Sequence, residues 1–297
     1  VEQGYDVILA CRNRSKGLEA VQQINENNNN NGAKAIFLHP LDLGQFDSVK
    51  EFCRMFQQEY KSLDILINNA GINYSQDHDG LDLCFQTNTL SHFLLTKELM
   101  PCLLLQRGDK KNARIVNLSS VTHHFCPCTD RKEAARHDSK QFWLDTATYG
   151  ISSNTYKESK LASILLTMEL NKRYGSQGIR SFAVNPGSVN SDIWRFYPSW
   201  QQIMFKWIYL STKQGAATSV AAALNDFDPS VVYLQPYWIP FSKRNNNSKQ
   251  PPFPAFEMLG PFMGAMATVP RLPSDGEDGY ASAQALWEAC DEIVSKS

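Results

Sequence analysis

The chain has 297 residues, 42% of them apolar and 20% charged, with 29 Lys and Arg set against 30 Asp and Glu. This composition is that of an ordinary globular protein and excludes a chain too polar to build a core. The basic residues are scattered, which excludes an electrostatic nucleic-acid footprint, and no run of about 18 apolar residues reads as a membrane span.

Taken in chain order, strand-like apolar runs recur: DVILAC at 6–11, AIFLHPLD at 35–42, LDILINNAG at 63–71, ARIVNLSS at 113–120, IRSFAVNPG at 179–187 and VVYLQPYW at 231–238. Helix-like stretches separate them, among them FDSVKEFCRMFQQEY at 46–60 and GLDLCFQTNTLSHFLLTKELM at 80–100. Apolar strands alternating with helices predict a parallel sheet covered on both faces, that is, a doubly wound α/β fold. The polar run ENNNNNG at 26–32 reads as a solvated loop, and SKRNNNSKQPPFPAF at 242–256 as irregular. FEMLGPFMGAMATVPRLP at 256–273 reads as a loop over a greasy surface, before YASAQALWEACDEIV at 280–294 returns to helical spacing. With no repeat and no linker, residues 1–297 read as one domain. The seven cysteines (Cys11, Cys53, Cys84, Cys102, Cys126, Cys128 and Cys290) are odd in number and dispersed, which favours a reducing compartment over a disulfide framework. Cys126 and Cys128 lack the spacing of a zinc site, so no metal is expected.

Two stretches carry Tyr-x-x-x-Lys: YKESK at 156–160 and YLSTK at 209–213. On a helix such a pair stands one turn apart on one face, and an ammonium beside a phenol favours the phenolate. The first copy opens a long helical pattern with Ser152, Ser153 and Asn154 as candidate N-caps and a stripe of Leu161, Ile164, Leu165 and Met168. It also lies between two buried-strand patterns, where open α/β sheets build their sites. The second copy follows WQQIMFKWI and has no strand end nearby, so Tyr209 and Lys213 read as a structural aromatic and a surface charge.

The ordered set NNAG (68–71), FQTNTLSHFLLT (85–96), RIVNLSS (114–120), YKESK (156–160) and NPGSV (185–189) resembles the short-chain dehydrogenase/reductase family across nearly the whole chain. ACRN, the His after VNLSS, KQGAATSV and the LWE near the C-terminus resemble its retinol-dehydrogenase and WW-domain oxidoreductase branch. The resemblance implies an NAD(P)-dependent oxidoreductase with Tyr156 as general acid/base, Lys160 lowering its pKa and binding the nicotinamide ribose, and Ser120 holding the substrate oxygen. Ser119 is expected on the opposite face of the strand. Asn88 matches the family's helix asparagine, which holds a water in a proton relay to the lysine. His123 and His124 follow the serine but are assigned no chemical role.

The same resemblance places the cofactor. Asp42 would contact the adenine with Leu43 beside it, and Asn69, Ala70 and Gly71 would form a turn against which the cofactor lies, with Gly71 supplying conformational freedom. Pro186 and Gly187 would turn beneath the nicotinamide, and Val189 and Ser191 would meet its carboxamide. Where an NAD-specific chain carries an acidic residue stand Cys11 and Arg12, and a guanidinium suits a 2'-phosphate, so NADP is favoured over NAD. About 35 residues separate Ser120 from Tyr156, more than in compact family members, which implies an insertion at the substrate mouth.

The family's first strand and glycine-rich loop are lacking from the sequence, which opens VEQGYDVILACRN, and the expectation is that they lie before Val1. The resemblance therefore implies a Rossmann-like domain incomplete at its N-terminus, cytoplasmic or, with an anchor upstream, membrane-associated facing a reducing compartment. The substrate reads as a lipophilic alcohol or carbonyl, retinoid- or steroid-like, because WRFYPSWQQIMFKWIYL at 194–210 falls where the family places its substrate lid. Two other readings stand beside it: a catalytically weak interaction protein on the same fold, and a light-dependent pigment reductase. A homo-oligomer is compatible with the family, although no residue specifies one.

Overall fold

The computed structural model describes residues 1–28, 32–105, 113–126, 135–148, 155–195, 197–236, 265–268 and 279–297. Its centre is a five-stranded sheet in the order β3 (Ile65–Asn68), β6 (Ala113–Leu118), β7 (Ile179–Val184), β8 (Tyr233–Pro236), β9 (Ala265–Thr268). The first three pairings are parallel and the last is antiparallel. A second, two-stranded parallel sheet joins β1 (Val7–Leu9) to β2 (Ala35–Phe37). Val7 on β1 and Ile67 on β3 are both exposed. Among the described residues no strand bridges the two sheets.

Helices close the faces. Helix α1 (Arg14–Glu26) starts where Asn13 accepts from the Lys16 amide at 2.9 Å, and it crosses back from β1 to β2. Helix α2 (Phe46–Glu59) buries Val49, Phe52, Cys53 and Phe56, an i, i+3, i+4, i+7 stripe. Next comes a compound element: α3 (Leu83–Phe85), a π-helical turn (Gln86–Leu90) and α4 (Ser91–Leu104) run on without a break. The antiparallel pair β4 (Asp77–His78) and β5 (Leu81–Asp82) precedes it, joined through Asp79 and Gly80 with φ of 54° and 80°. An Asp-Gly pair at positive φ is the signature of a type I′ hairpin turn. Helix α5 (Lys140–Ala147) lies within the expected insertion, of which 127–134 and 149–154 fall outside the described residues.

The long helix α6 (Tyr156–Tyr174) departs from the simple stripe. Leu161, Ile164, Leu165 and Met168 are buried as expected, yet so is every residue from Glu158 to Leu170. Strand β7 packs on one side of it and the C-terminal helix α9 (Tyr280–Lys296) on the other, so no face is left to water. Helix α7 (Ser199–Ile208) and helix α8 (Thr212–Leu224) complete the set, α8 opening with a capping box between Ser211 and Gln214. The stretch read as a loop over a greasy surface contains β9, a correction to that expectation; most of it, with the 242–256 segment, lies outside the described residues.

Polar side chains pin the sheet to its helices from inside. Asn68 on β3 donates to Asn117 Oδ1 on the paired strand at 2.8 Å, and to Thr96 Oγ1 on α4 at 3.1 Å. Asn117 in turn donates to Thr167 Oγ1 on α6 at 2.9 Å. These bonds satisfy the buried amide nitrogens of Asn68 and Asn117 and tie strands to helices, while Asn68 Oδ1 is left without a partner among the described residues.

Candidate active site

Tyr156 is the first residue of α6, and Lys160 stands one turn later with its Nζ 5.4 Å from the centre of the Tyr156 ring. Ser120 lies just past the end of β6, and its side chain hydrogen-bonds with the Tyr156 phenol. Its neighbour Ser119 points the other way, as strand alternation predicts, and donates to the Lys160 carbonyl at 2.7 Å. Strand β6 and helix α6 are thereby joined at Lys160.

The electrostatics differ from the expected pattern. An ammonium one turn away was reason to expect a lowered phenol pKa; instead burial prevails and pushes Tyr156 up to about 12, with the Ser120 hydrogen bond opposing it in part. Burial also pushes Lys160 down to about 8. The lysine is 5% exposed, donates from Nζ to the Leu118 carbonyl at 3.1 Å, and has no carboxylate in salt-bridge range among the described residues. Part of its charge is therefore titratable near neutral pH.

Asn88 sits in the π-helical turn, where a wider backbone loop re-aims a side chain. Its Oδ1 accepts from the Ile72 amide at 2.9 Å, and its Nδ2 donates to the Ile72 carbonyl at 2.9 Å and to Ser159 Oγ at 3.0 Å. The side chain is thus occupied in fixing the loop after NNAG against α6. Its main-chain carbonyl lies 3.2 Å from Nδ1 of His92, a buried histidine that burial pushes down to about 4.

Gly71 is required for space and not for conformation, which corrects the sequence reading: its φ is not in the left-handed region. A Cβ there would stand 3.2 Å from Asn88 Oδ1 and 3.5 Å from Lys160 Nζ. Asn69 and Ala70 beside it are exposed. Arg12 and Asp42, in the segments that follow β1 and β2, form an ion pair of 3.9 Å, and Asp42 Oδ1 accepts from the Gly44 amide at 3.0 Å. Leu43 turns its side chain into the core, and its carbonyl accepts from Ser91 Oγ at 2.6 Å.

After β7 the chain passes through Pro186 and Gly187. Gly187 adopts φ 79°, and its amide donates to Asn185 Oδ1 at 3.0 Å. Val189 bridges to Leu210 and packs over Gly215, where a Cβ would collide with Val189 Cγ2. Ser191 is exposed at the head of the next helical turn. The second Tyr-x-x-x-Lys is broken by its setting: Tyr209 packs 5.5 Å from Trp194, before α8 begins, while Lys213 is an exposed residue of α8. Ser152, Ser153 and Asn154 lie outside the described residues, and Thr155 is the N-cap of α6. Sequence reasoning passed over Asp82, Thr155, Ser159, His92 and Asn185, none of which stands in a spacing that advertises a role.

A family model described as short chain dehydrogenase matches residues 1–127. Retinol dehydrogenase 12 from Mus musculus is 37% identical over 236 residues, covering 76% of this chain and 68% of that protein. The chain belongs to the short-chain dehydrogenase/reductase family. Within it the relatives of the retinol dehydrogenase branch recur: retinol dehydrogenase 11 from Homo sapiens is 33% identical over 230 residues, covering 76% of the chain and 67% of the relative. The WW domain-containing oxidoreductase of Drosophila melanogaster is 34% identical over 231 residues, covering 74% and 52%. Among solved structures, an uncharacterized protein from Mycobacterium Paratuberculosis superposes with a TM-score of 0.60 at 22% identity, covering 97% of this chain and 84% of the other. Salutaridine reductase from Papaver somniferum gives 0.52 at 22%, covering 78% and 90%. These structures share the doubly wound α/β fold. As a member of this family the chain is an NAD(P)-dependent oxidoreductase.

The residues present fit a nicotinamide cofactor. Gly71 leaves open the space that a side chain would take against Asn88 and Lys160, the exposed Asn69–Ala70 backbone adjoins it, and Arg12 offers a guanidinium at the sheet end. Among the described residues no helix is long and apolar enough to cross a membrane.

Proposed function

We propose that the chain interconverts an alcohol and a carbonyl on a lipophilic, retinoid- or steroid-like substrate, with Tyr156 as general acid and base and NADP as the preferred cofactor. The observation that carries this reading is the convergence of the Tyr156 phenol, the Ser120 hydroxyl and a buried Lys160 ammonium at the end of β6. The bound nicotinamide would supply or accept the hydride. Asn69, Ala70, Gly71, Pro186, Gly187, Val189 and Ser191 would hold it, Asp42 and the Leu43 backbone would meet its adenine end, and Arg12 its 2'-phosphate.

In the direction of reduction the substrate oxygen gains negative charge as hydride arrives. Ser120 and Tyr156 are both positioned to donate to that oxygen, and the Tyr156 proton is transferred to it. A phenol near 12 gives up this proton reluctantly on its own. Lys160 opposes that reluctance, because a charged Nζ beside the ring stabilises the tyrosinate left behind. Asn88 keeps the loop carrying Gly71 against α6, so the cofactor and proton donor face one volume. The name of the Mus musculus relative directs the choice toward retinoid substrates, and the aromatic stretch from Trp194 to Tyr209 supports a lipophilic one.

The test is NADPH-dependent reduction of a panel of retinoid aldehydes and steroid ketones by the parent chain and by Tyr156→Phe. Turnover in the parent that falls by at least about 100-fold in the variant supports the assignment. Equal turnover in both would refute it.

A further inference from the structure

Helix α6 begins in an unusual way. Its N-cap is Thr155, a residue type that normally turns its hydroxyl back onto the first free amides, yet no such bond is made and the backbone stands at φ −86°, ψ 4°. The hydroxyl instead donates outward to Asp82 Oδ1 at 2.5 Å. Thr155 is 2% exposed and Asp82 1% exposed, so this bond is made away from water. The same Asp82 oxygen accepts from the Phe85 amide at 2.8 Å and thereby caps α3, the start of the element that carries Asn88. Ser75 completes the joint by accepting from the Thr155 amide at 3.2 Å.

One turn further along, a second strut joins the same two elements: Asn88 Nδ2 donates to Ser159 Oγ at 3.0 Å, and Ser159 Oγ donates to the Tyr156 carbonyl at 2.7 Å. Thr155 and Ser159 each precede one member of the Tyr156 and Lys160 pair. At about 100° per residue, the struts occupy one strip of the helix and the pair the strip beside it. A helix gripped at two points one turn apart cannot rotate about its axis. The consequence is quantitative, since a phenol oxygen ~9 Å from the axis moves ~1.5 Å for a rotation of ~10°. Misplacement by about 1 Å costs on the order of 100-fold in rate.

We propose that Asp82 and Thr155 are positioning residues that fix the rotation of α6, and through it the Tyr156 phenol against Ser120. Thr155 surrenders its capping role for this purpose, and Asp82 couples the start of the asparagine-bearing element to the start of the tyrosine-bearing helix. The inference rests on the assignment of Tyr156 as the proton donor.

The experiment uses four variants of the chain, with Tyr156→Phe and Ser120→Ala as references. Thr155→Val removes the hydroxyl while leaving the Asp82 cap on Phe85, and Thr155→Ser restores the hydroxyl. Asp82→Asn keeps an acceptor oxygen for both bonds, and Asp82→Ala removes it. For NADPH-dependent reduction, Thr155→Val and Asp82→Ala should lower kcat by about 10- to 100-fold with KM for NADPH within about twofold. Thr155→Ser and Asp82→Asn should retain at least about a third of parental kcat. Tyrosine 13Cζ NMR on the ligand-free chain gives a readout independent of turnover. The Tyr156 resonance, identified by its loss in Tyr156→Phe, should move in Thr155→Val toward its position in Ser120→Ala and return in Thr155→Ser. A wild-type kcat and an unmoved resonance in Thr155→Val overturn the proposal, as does a Ser variant as impaired as the Val variant. Should Thr155→Val lose its cooperative melt, the Asp82→Ala and Asp82→Asn pair decides by the same criteria. A parent chain that reduces no carbonyl while the resonance still moves as described would refute the proposed function and leave the positioning role standing.

Discussion

Replacing Lys160 by Met should make the ligand-free protein more stable at neutral pH while abolishing its proposed chemistry. Lys160 is 5% exposed, and burial lowers its pKa from 10.5 to about 8. The folded state therefore binds its proton more weakly than the unfolded chain. A lysine depressed in this way favours folding fully only above its unfolded value of 10.5, and that advantage is lost as pH falls toward 8. At about 1.4 kcal/mol per unit, the charged lysine costs the fold about 3 kcal/mol at pH 7 and under about 1 kcal/mol at pH 10. Methionine fills similar volume without charge, but it forfeits the hydrogen bond to the Leu118 carbonyl, worth about 1.5 to 3 kcal/mol when the donor is charged. The net expectation at pH 7 is a gain of up to about 1.5 kcal/mol. At pH 10 most of the charge penalty is gone and the gain should vanish or reverse. Urea unfolding of both proteins at pH 7 and pH 10, without cofactor, measures the difference. A stability change independent of pH would show that Lys160 is not held against its ionisation, and the reasoning about the site's electrostatics would fall with it.

Three further outcomes follow from the geometry. Tyr209→Phe should leave kcat within about twofold while Tyr156→Phe loses at least about 100-fold, because Tyr209 packs on Trp194 ahead of the helix bearing Lys213; equal losses would return the assignment to bare spacing. Arg12→Ala should weaken NADP by at least about tenfold and NAD by less than about twofold, read by cofactor fluorescence titration, since the exposed pair with Asp42 is worth under about 1 kcal/mol to the fold and only NADP loses a charge-assisted contact. Gly71→Ala puts a methyl group 3.2 Å from Asn88 Oδ1 and 3.5 Å from Lys160 Nζ, so cofactor affinity and kcat should both fall by about tenfold with unfolding free energy changed by about 1 to 2 kcal/mol; a variant with parental kinetics would show that the site has room to spare.

The elements that carry periodicity were legible in the chain. The six strand-like runs all contain strands, and the stripe of Leu161, Ile164, Leu165 and Met168 lies in the core, because burial on a defined face leaves a repeat that can be counted. Ser119 and Ser120 divided as alternation requires. Hidden in the same chain was the hairpin of β4 and β5: its Asp79–Gly80 turn is a sequence signal, yet it adjoins an apolar run that reads as the start of a helix. Strand β9 was equally hidden, since its antiparallel pairing with β8 depends on a partner some 30 residues away and on no pattern of its own.

Residue order, read through the resemblance to the family, brought Ser120, Tyr156 and Lys160 forward as candidates, and helical spacing sets the last two on one face. Their ionisation was decided by the tertiary structure alone. Spacing brings a charge close, but it does not count the atoms that displace water, and here desolvation is the largest cause at both groups and drives phenol and ammonium in opposite directions. The bond between Asp82 and Thr155 is of the same kind. It joins residues 73 apart in the chain, and only the packing of two helices end against end makes them neighbours.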